Sequence, residues 1–343
     1  MNNIYDYIKY YKNNSFAEIK FNIMDALVFS LLAYIPAKNV EDGSGLAELL
    51  KSIYSVDFEE GSMKATSIQI LGEIYKSRRY KNIKVFNFQK IENEKMQFGA
   101  LTIRSDDFTF VSFEGTNGTI IGWKENFNLA YEYPSFTQKE AVKYLNNTIR
   151  FTDRNVYVGG HSKGGNLSMA SSMECDMRVF IKIRQIYNFD GPGFRKEIFQ
   201  SKKFEAMSKK LTNILPDGSI IGILLNNKNY TFVKSNGIGG DKHRPFNWHI
   251  FGQFFVEEKI STYSKNLQES INKSVDQLDK EDMKMFIDTV YEFLKINNIR
   301  TIKELKSVKM SELKKMIEQI KDVDDETKKL FISVTKILLN PIN

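Results

Sequence analysis

The sequence predicts an α/β fold, a mostly parallel central sheet flanked by helices, with a helical appendage at the C-terminus. Three observations carry this expectation. Short apolar runs at Asn155–Val158, Ile183–Phe189 and Leu211–Leu215 alternate with stretches of helical periodicity, the pattern of strands laid parallel through crossover helices. Each run ends in a polar, glycine-bearing turn, as in Gly159–Gly165, Asp190-Gly191-Pro192-Gly193 and Pro216-Asp217-Gly218. From Ile260 the texture changes to lysine- and glutamate-rich helical repeats, so the chain divides into a sheet-containing unit over 1–258 and a helical appendage over 259–343.

The elements follow in order. Met1 to Ser15 is polar and tyrosine-rich and lacks the apolar run of a secretory signal. Phe21 to Ile35 has the dense apolar content of a buried helix, which Pro36 ends. The longest apolar stretch, Ala26 to Ala37, is too short to span a bilayer. A second helix is expected over Ala65–Ser77. Met96–Ile103 and Phe108–Phe113 read as a hairpin around Ser105-Asp106-Asp107, feeding the sheet. A polar loop, Glu114-Gly115-Thr116-Asn117-Gly118, follows, then an amphipathic stretch over Ile120–Tyr131 and a helix over Thr137–Arg150. Ile220–Leu225 and Tyr230–Val233 read as a further hairpin around Asn226–Asn229. In the appendage, Phe286, Val290 and Phe293 form one apolar stripe, Thr301 and Glu304 a capping box, and Leu330, Phe331, Val334 and Leu338 a last stripe. Such helices could cover the sheet, mediate oligomers or bind a partner.

Composition narrows the function. With 42% apolar and 13% aromatic residues the chain has ample material for a core. The formal charge of +7 comes from lysines spread among many acids, a solvated surface rather than a nucleic-acid stripe. Cys175 is the sole cysteine, so no internal disulfide forms, and it reads as a helix core residue. The expectation is a soluble cytoplasmic protein with no cofactor and no metal.

The chemistry gathers at Val156–Ala170, a strand, a forced turn and a helix with one serine at the turn. Gly160-x-Ser162-x-Gly164 is the pattern of a nucleophile elbow, where side chains at 160 and 164 would collide with neighbouring chain. The other reading is an ordinary glycine-rich turn, or a phosphate-binding turn at the same helix N-terminus. A serine hydroxyl is a poor nucleophile at neutral pH and needs a base oriented by an acid. Of the three histidines, His161 adjoins the serine, where adjacent side chains point apart. That leaves His243, in a polar glycine-rich loop, and His249, in the apolar segment Phe246–Phe251; His243 is preferred. For the acid, Asp217 is preferred over Asp190, whose Gly-Pro-Gly sequel reads as a rigid turn in which the aspartate satisfies backbone N–H groups. Acyl transfer also requires donors aimed at the oxyanion, and the loop after an earlier strand is one place for them: Thr116, with the Lys163 N–H as the second. A plain polar turn is the alternative for that loop.

Taken together, Gly159–Leu167, Phe113–Thr116, Gly122–Phe127, Phe189–Phe194 and His243–Trp248 resemble an uncharacterised α/β-hydrolase family of low-GC Gram-positive bacteria, distantly similar to class 3 lipases. The resemblance covers Phe21 to Phe255 and leaves the helical tail outside. It implies an α/β-hydrolase fold with Ser162 as nucleophile, Thr116 on the oxyanion loop and His243 as base. One departure is Glu114, where class 3 lipases usually carry arginine before the oxyanion glycine. The expected function is a serine hydrolase acting on a lipid or other small acyl ester; an inactive hydrolase-fold scaffold and an acyltransferase are the alternatives.

Overall fold

The computed structural model describes residues 2–54, 61–93, 96–116, 122, 124–125, 128–129, 131–219, 221–237, 239–262, 264–266, 268–269, 280–299, 311 and 315. Four helices come first: α1 (Ile4–Tyr11), α2 (Ile23–Leu32), α3 (Leu46–Lys51) and α4 (Met63–Ile74). The strands are β1 (Lys84–Glu92), β2 (Gln97–Arg104), β3 (Thr109–Phe113), β4 (Val156–His161), β5 (Ile183–Phe189), β6 (Leu211–Pro216) and β7 (Tyr230–Val233). Helix α5 (Phe136–Thr148) lies between β3 and β4, α6 (Lys163–Glu174) between β4 and β5, and α7 (Lys202–Ser208) between β5 and β6.

Among the described residues these strands form one seven-stranded sheet in sequential order. β1, β2 and β3 pair antiparallel, and every pair from β3 to β7 is parallel. The expected mostly parallel sheet flanked by helices is therefore present. Alternation along the strands divides the core in two. Phe110, Tyr187 and Phe189 face α2, while Val111, Val158 and Ile186 face α5 and α6.

Helix α2 is buried almost throughout because it lies flat on the sheet, and it starts at a capping box between Asn22 and Asp25. It comes close over Gly159, where an added Cβ would lie 2.6 Å from the Phe110 ring and 3.1 Å from Ser30 Oγ. Its C-terminal end delivers Tyr34 to the carboxyl end of β4.

Several expectations change. The polar N-terminus contains α1, which buries Ile4, Tyr7 and Ile8. The segment before β2 contains a full edge strand, β1, which alternation alone did not signal because its residues are mostly half-buried. The hairpin over 220–233 does not form: 221–225 turn, Asn226 bridges to Phe194, and β7 pairs parallel to β6. Gly222 is pressed between Leu215 and Asp190, which holds this segment over the strand ends instead of extending it. Ile220 lies outside the described residues.

In the C-terminal region one helix is described at length, α8 (Lys280–Ile296). It packs on the segment after β3: Lys124 Nζ lies 2.8 Å from Asp288 Oδ1 and 4.2 Å from the Tyr291 ring centroid. The side chains of Phe286, Val290 and Phe293, the capping box at 301–304 and the stripe at 330–338 lie outside the described residues. No helix among the described residues is long and apolar enough to cross a membrane.

Candidate active site

Strand β4 ends at His161 and α6 begins at Lys163, so Ser162 makes the whole turn. It does so at φ 60° and ψ −131°, a conformation an L-residue rarely adopts and one that stores about 1–3 kcal/mol of strain. The surroundings hold it there. Ser162 N–H donates to Phe189 O on β5 at 2.9 Å, and its carbonyl accepts from Gly165 N–H at 2.9 Å. The glycines leave room, since a Cβ on Gly160 would lie 2.3 Å from the Gly164 carbonyl carbon and one on Gly164 would lie 2.1 Å from Phe113 O. A serine at a helix N-cap ordinarily bonds back to the first turn, but Ser162 makes no such bond. Its hydroxyl is left for other work.

Asp190 follows β5, the neighbour of β4, and also takes a left-handed conformation at φ 53°. Its turn is tied to the elbow helix: Asn166 Nδ2 donates to Pro192 O and Gly193 O, and Asn188 brackets Gly191 through both amide atoms. The Asp190 carboxylate is fully buried, and Oδ2 lies 2.6 Å from His243 Nδ1 while accepting from Ser219 Oγ. Oδ1 lies against Gly222, whose N–H favours the charged carboxylate although the contact falls short of full hydrogen-bond geometry.

This corrects the expectation for Asp217. That residue stands at the end of β6, two strand spacings from β4, or about 10 Å. Its Oδ1 accepts from Ser261 N–H, Ser261 Oγ and Ser264 Oγ, anchoring the chain as it leaves the sheet. Only its carbonyl serves the histidine loop, accepting from Lys242 Nζ at 2.8 Å. His249 is also elsewhere, with Nε2 on Asn236 Oδ1 at 2.8 Å.

The tautomers follow from the partners. His243 Nδ1 faces a carboxylate and so carries the proton, leaving a lone pair on Nε2. Burial pushes the ring down to about 4, an effect moderated by the 21% of the side chain that water reaches; the ring is neutral at pH 7. Burial pushes Asp190 the other way, well above the usual carboxylate range. No hydrogen bond joins His243 to Ser162 Oγ among the described residues. His161 connects the two segments instead: its Nε2 meets His243 O at 2.9 Å, and its ring lies 4.5 Å from the His243 ring, centroid to centroid. A carbonyl only accepts, so His161 Nε2 holds the proton and Nδ1 accepts from the Tyr34 hydroxyl at 3.0 Å. Burial, then the neighbouring His243, hold His161 well below the ordinary histidine value.

Beside the elbow lies a buried polar network. Lys163, first in α6, sends its side chain away from the serine to Glu125 Oε2 at 2.8 Å and to Gln97 O and Oε1, each at 2.7 Å. Glu125 also accepts from Gln97 N–H and Thr137 Oγ1. Glu114 pairs with Lys90 at 2.7 Å. The backbone N–H of Lys163, at the helix start, has no intrahelical carbonyl to meet. Thr116 is part-buried in the stretch after β3; Asn117 and Gly118 lie outside the described residues. No group of three or more His, Cys, Asp or Glu side chains among the described residues is placed to hold a metal.

A family model described as Mbeg1-like matches residues 74–292, most of the chain and, apart from Tyr34, the residues just described. The chain belongs to the Mbeg1-like family. The family match begins at the end of α4 and runs into α8, so it takes in both the sheet and the helix that packs on Lys124. No curated protein sequence matches the chain. Among solved structures, the crystal structure of M37 lipase is similar at 12% identity, with a TM-score of 0.40 over 74% of this chain and 80% of that one.

Proposed function

We propose that this Mbeg1-like chain is a serine hydrolase of α/β-hydrolase type, cleaving a lipid or other acyl ester through an acyl-enzyme on Ser162. The observation that carries the reading is the strained backbone of Ser162 at the end of a central parallel strand, next in sequence to His161, on which packs a neutral histidine whose Nδ1 is held by a buried aspartate. Strain of this kind persists where the surrounding structure over-determines it, and a hydroxyl withheld from helix capping is the expected use.

In the proposed reaction His243 Nε2 takes the Ser162 hydroxyl proton as Oγ attacks the ester carbonyl carbon, and the carbonyl π pair becomes an oxyanion. In this reading the Thr116 and Lys163 N–H groups are the donors to that charge. Collapse expels the alcohol, which takes the proton from His243. Water then gives a proton to His243 and attacks the acyl carbon; the carboxylic acid leaves and Ser162 recovers its proton. Asp190 keeps the His243 tautomer and balances the imidazolium. In this reading 1–258 is the hydrolase unit and 259–343 its helical appendage.

A fluorophosphonate probe with mapping of the modified peptide tests the proposal. Labelling at Ser162, abolished in Ser162→Ala, supports it; labelling of another serine, or equal labelling of the alanine variant, refutes it.

A further inference from the structure

Two hydrogen bonds of one buried side chain connect the two backbone groups assigned to the oxyanion. Gln97 opens β2 and is buried; its Oε1 accepts from Lys163 Nζ, while its Nε2 donates to Gly115 O at 3.3 Å and to Glu114 Oε2 at 3.1 Å. The amide orientation is fixed by chemistry, because an ammonium only donates and a carbonyl or carboxylate only accepts. The Gly115 carbonyl and the Thr116 N–H belong to the same planar trans peptide and point in opposite directions. Holding the carbonyl therefore sets the direction of the N–H. At its other end the bond runs to the side chain of Lys163, whose own N–H is the second donor.

We infer that Gln97 is a positioning residue for the oxyanion site, setting the Thr116 N–H through the Gly115 carbonyl and locking that loop to the elbow through Lys163. The inference rests on the serine-hydrolase reading. Glu125 and the Lys90–Glu114 pair fix the ends of this bridge: Glu125 takes Lys163 Nζ and Gln97 N–H together, and Lys90 holds the carboxylate that Gln97 Nε2 meets. Gly115 leaves the loop no slack on the other side, since a Cβ there would lie 1.9 Å from Tyr34 Oη and 2.7 Å from His161 O.

The test compares Gln97→Met, which keeps the length and removes all three side-chain bonds, with Thr137→Val, which removes a bond to Glu125 without touching the Gly115 carbonyl. On a p-nitrophenyl ester, Gln97→Met lowers kcat by roughly 10- to 100-fold, less than outright removal of an oxyanion donor, with KM little changed. Affinity for an arylboronic acid, whose serine adduct is tetrahedral and anionic, falls by the same factor. Thr137→Val lowers the melting temperature and leaves both quantities near wild type. If Gln97→Met is too unstable to assay, Gln97→Glu, which keeps the bond from Lys163 and loses the donor to Gly115 O, gives the same comparison. Equal kcat losses in the Gln97 and Thr137 variants, or a Gln97 loss expressed in KM with boronate affinity intact, would overturn the inference while leaving the hydrolase reading standing. A wild-type protein that neither turns over esters nor binds boronate would remove both.

Discussion

Asp190→Asn separates the two aspartates at the strand ends. In the native arrangement Oδ2 accepts from both His243 Nδ1 and Ser219, and Oδ1 lies against Gly222. An asparagine must put an NH2 in one of these places. Placed at Oδ1 it would set donor against the Gly222 N–H, so the carbonyl takes that side and the NH2 turns to His243. His243 Nδ1 must then accept, its proton moves to Nε2, and the lone pair that serves the serine is lost. By the precedent of a triad aspartate changed to asparagine, kcat falls about 10⁴-fold, or about 5.4 kcal/mol of transition-state stabilisation. Asp217→Asn should leave kcat within about threefold, because among the described residues its carboxylate meets Ser261 and Ser264 alone and its carbonyl, which holds Lys242, is retained. The assay is steady-state ester hydrolysis, with folding checked by circular dichroism. An Asp190→Asn enzyme within tenfold of wild type, or an Asp217→Asn enzyme with the larger loss, would refute the assignment.

Ser162→Ala should reduce turnover by a factor on the order of a million with the fold intact, seen as loss of both hydrolysis and probe labelling. Gly164→Ala should cost about 3 kcal/mol or more in urea denaturation, because the new methyl meets the Phe113 carbonyl, a backbone group that cannot swing aside. Tyr34→Phe leaves His161 Nδ1 without its donor and should lower kcat about fivefold, the worth of one buried hydrogen bond, with KM unchanged. Burial pushes each of the three histidines below its ordinary value, so below about pH 6.5 the unfolded chain binds more protons than the folded one, for His243 down to about pH 4. Their stabilisation is complete above pH 6.5 and is lost as pH falls. Asp190, pushed up, acts oppositely, its contribution fading as pH rises. The histidines should dominate, giving a lower urea midpoint at pH 5 than at pH 7; an unchanged midpoint would contradict this.

Much of the fold was legible because it depends on local pattern. The apolar runs at Ile183–Phe189 and Leu211–Leu215 are strands, the second extending to Pro216, and the glycines around Ser162 have the steric role their spacing implies. The geometry around His243 was legible in part, since elimination among three histidines reached the one that faces an aspartate. The choice between Asp190 and Asp217 was not a local matter. It turned on which strand lies beside β4, and the Gly-Pro-Gly sequence that argued against Asp190 is the turn that carries it to His243. Gln97 gave no signal at all, because a single polar residue at the start of an apolar strand has no pattern.

Gln97 reaches the site because β2 runs against the parallel strands. In a parallel sheet the groups that meet substrate come from the carboxyl ends, but the reversed strand brings its first residue to that same edge. The end of β1 at Glu92 and the start of β2 thus stand at that edge as well, although in sequence they lie outside every crossover. Hairpin turns tolerate insertion and exchange more readily than crossover connections do, since the paired strands keep their register. Relatives of this chain that differ in length between these two strands would therefore differ at the edge where β4 ends, with β4, α6 and the histidine loop left as they are.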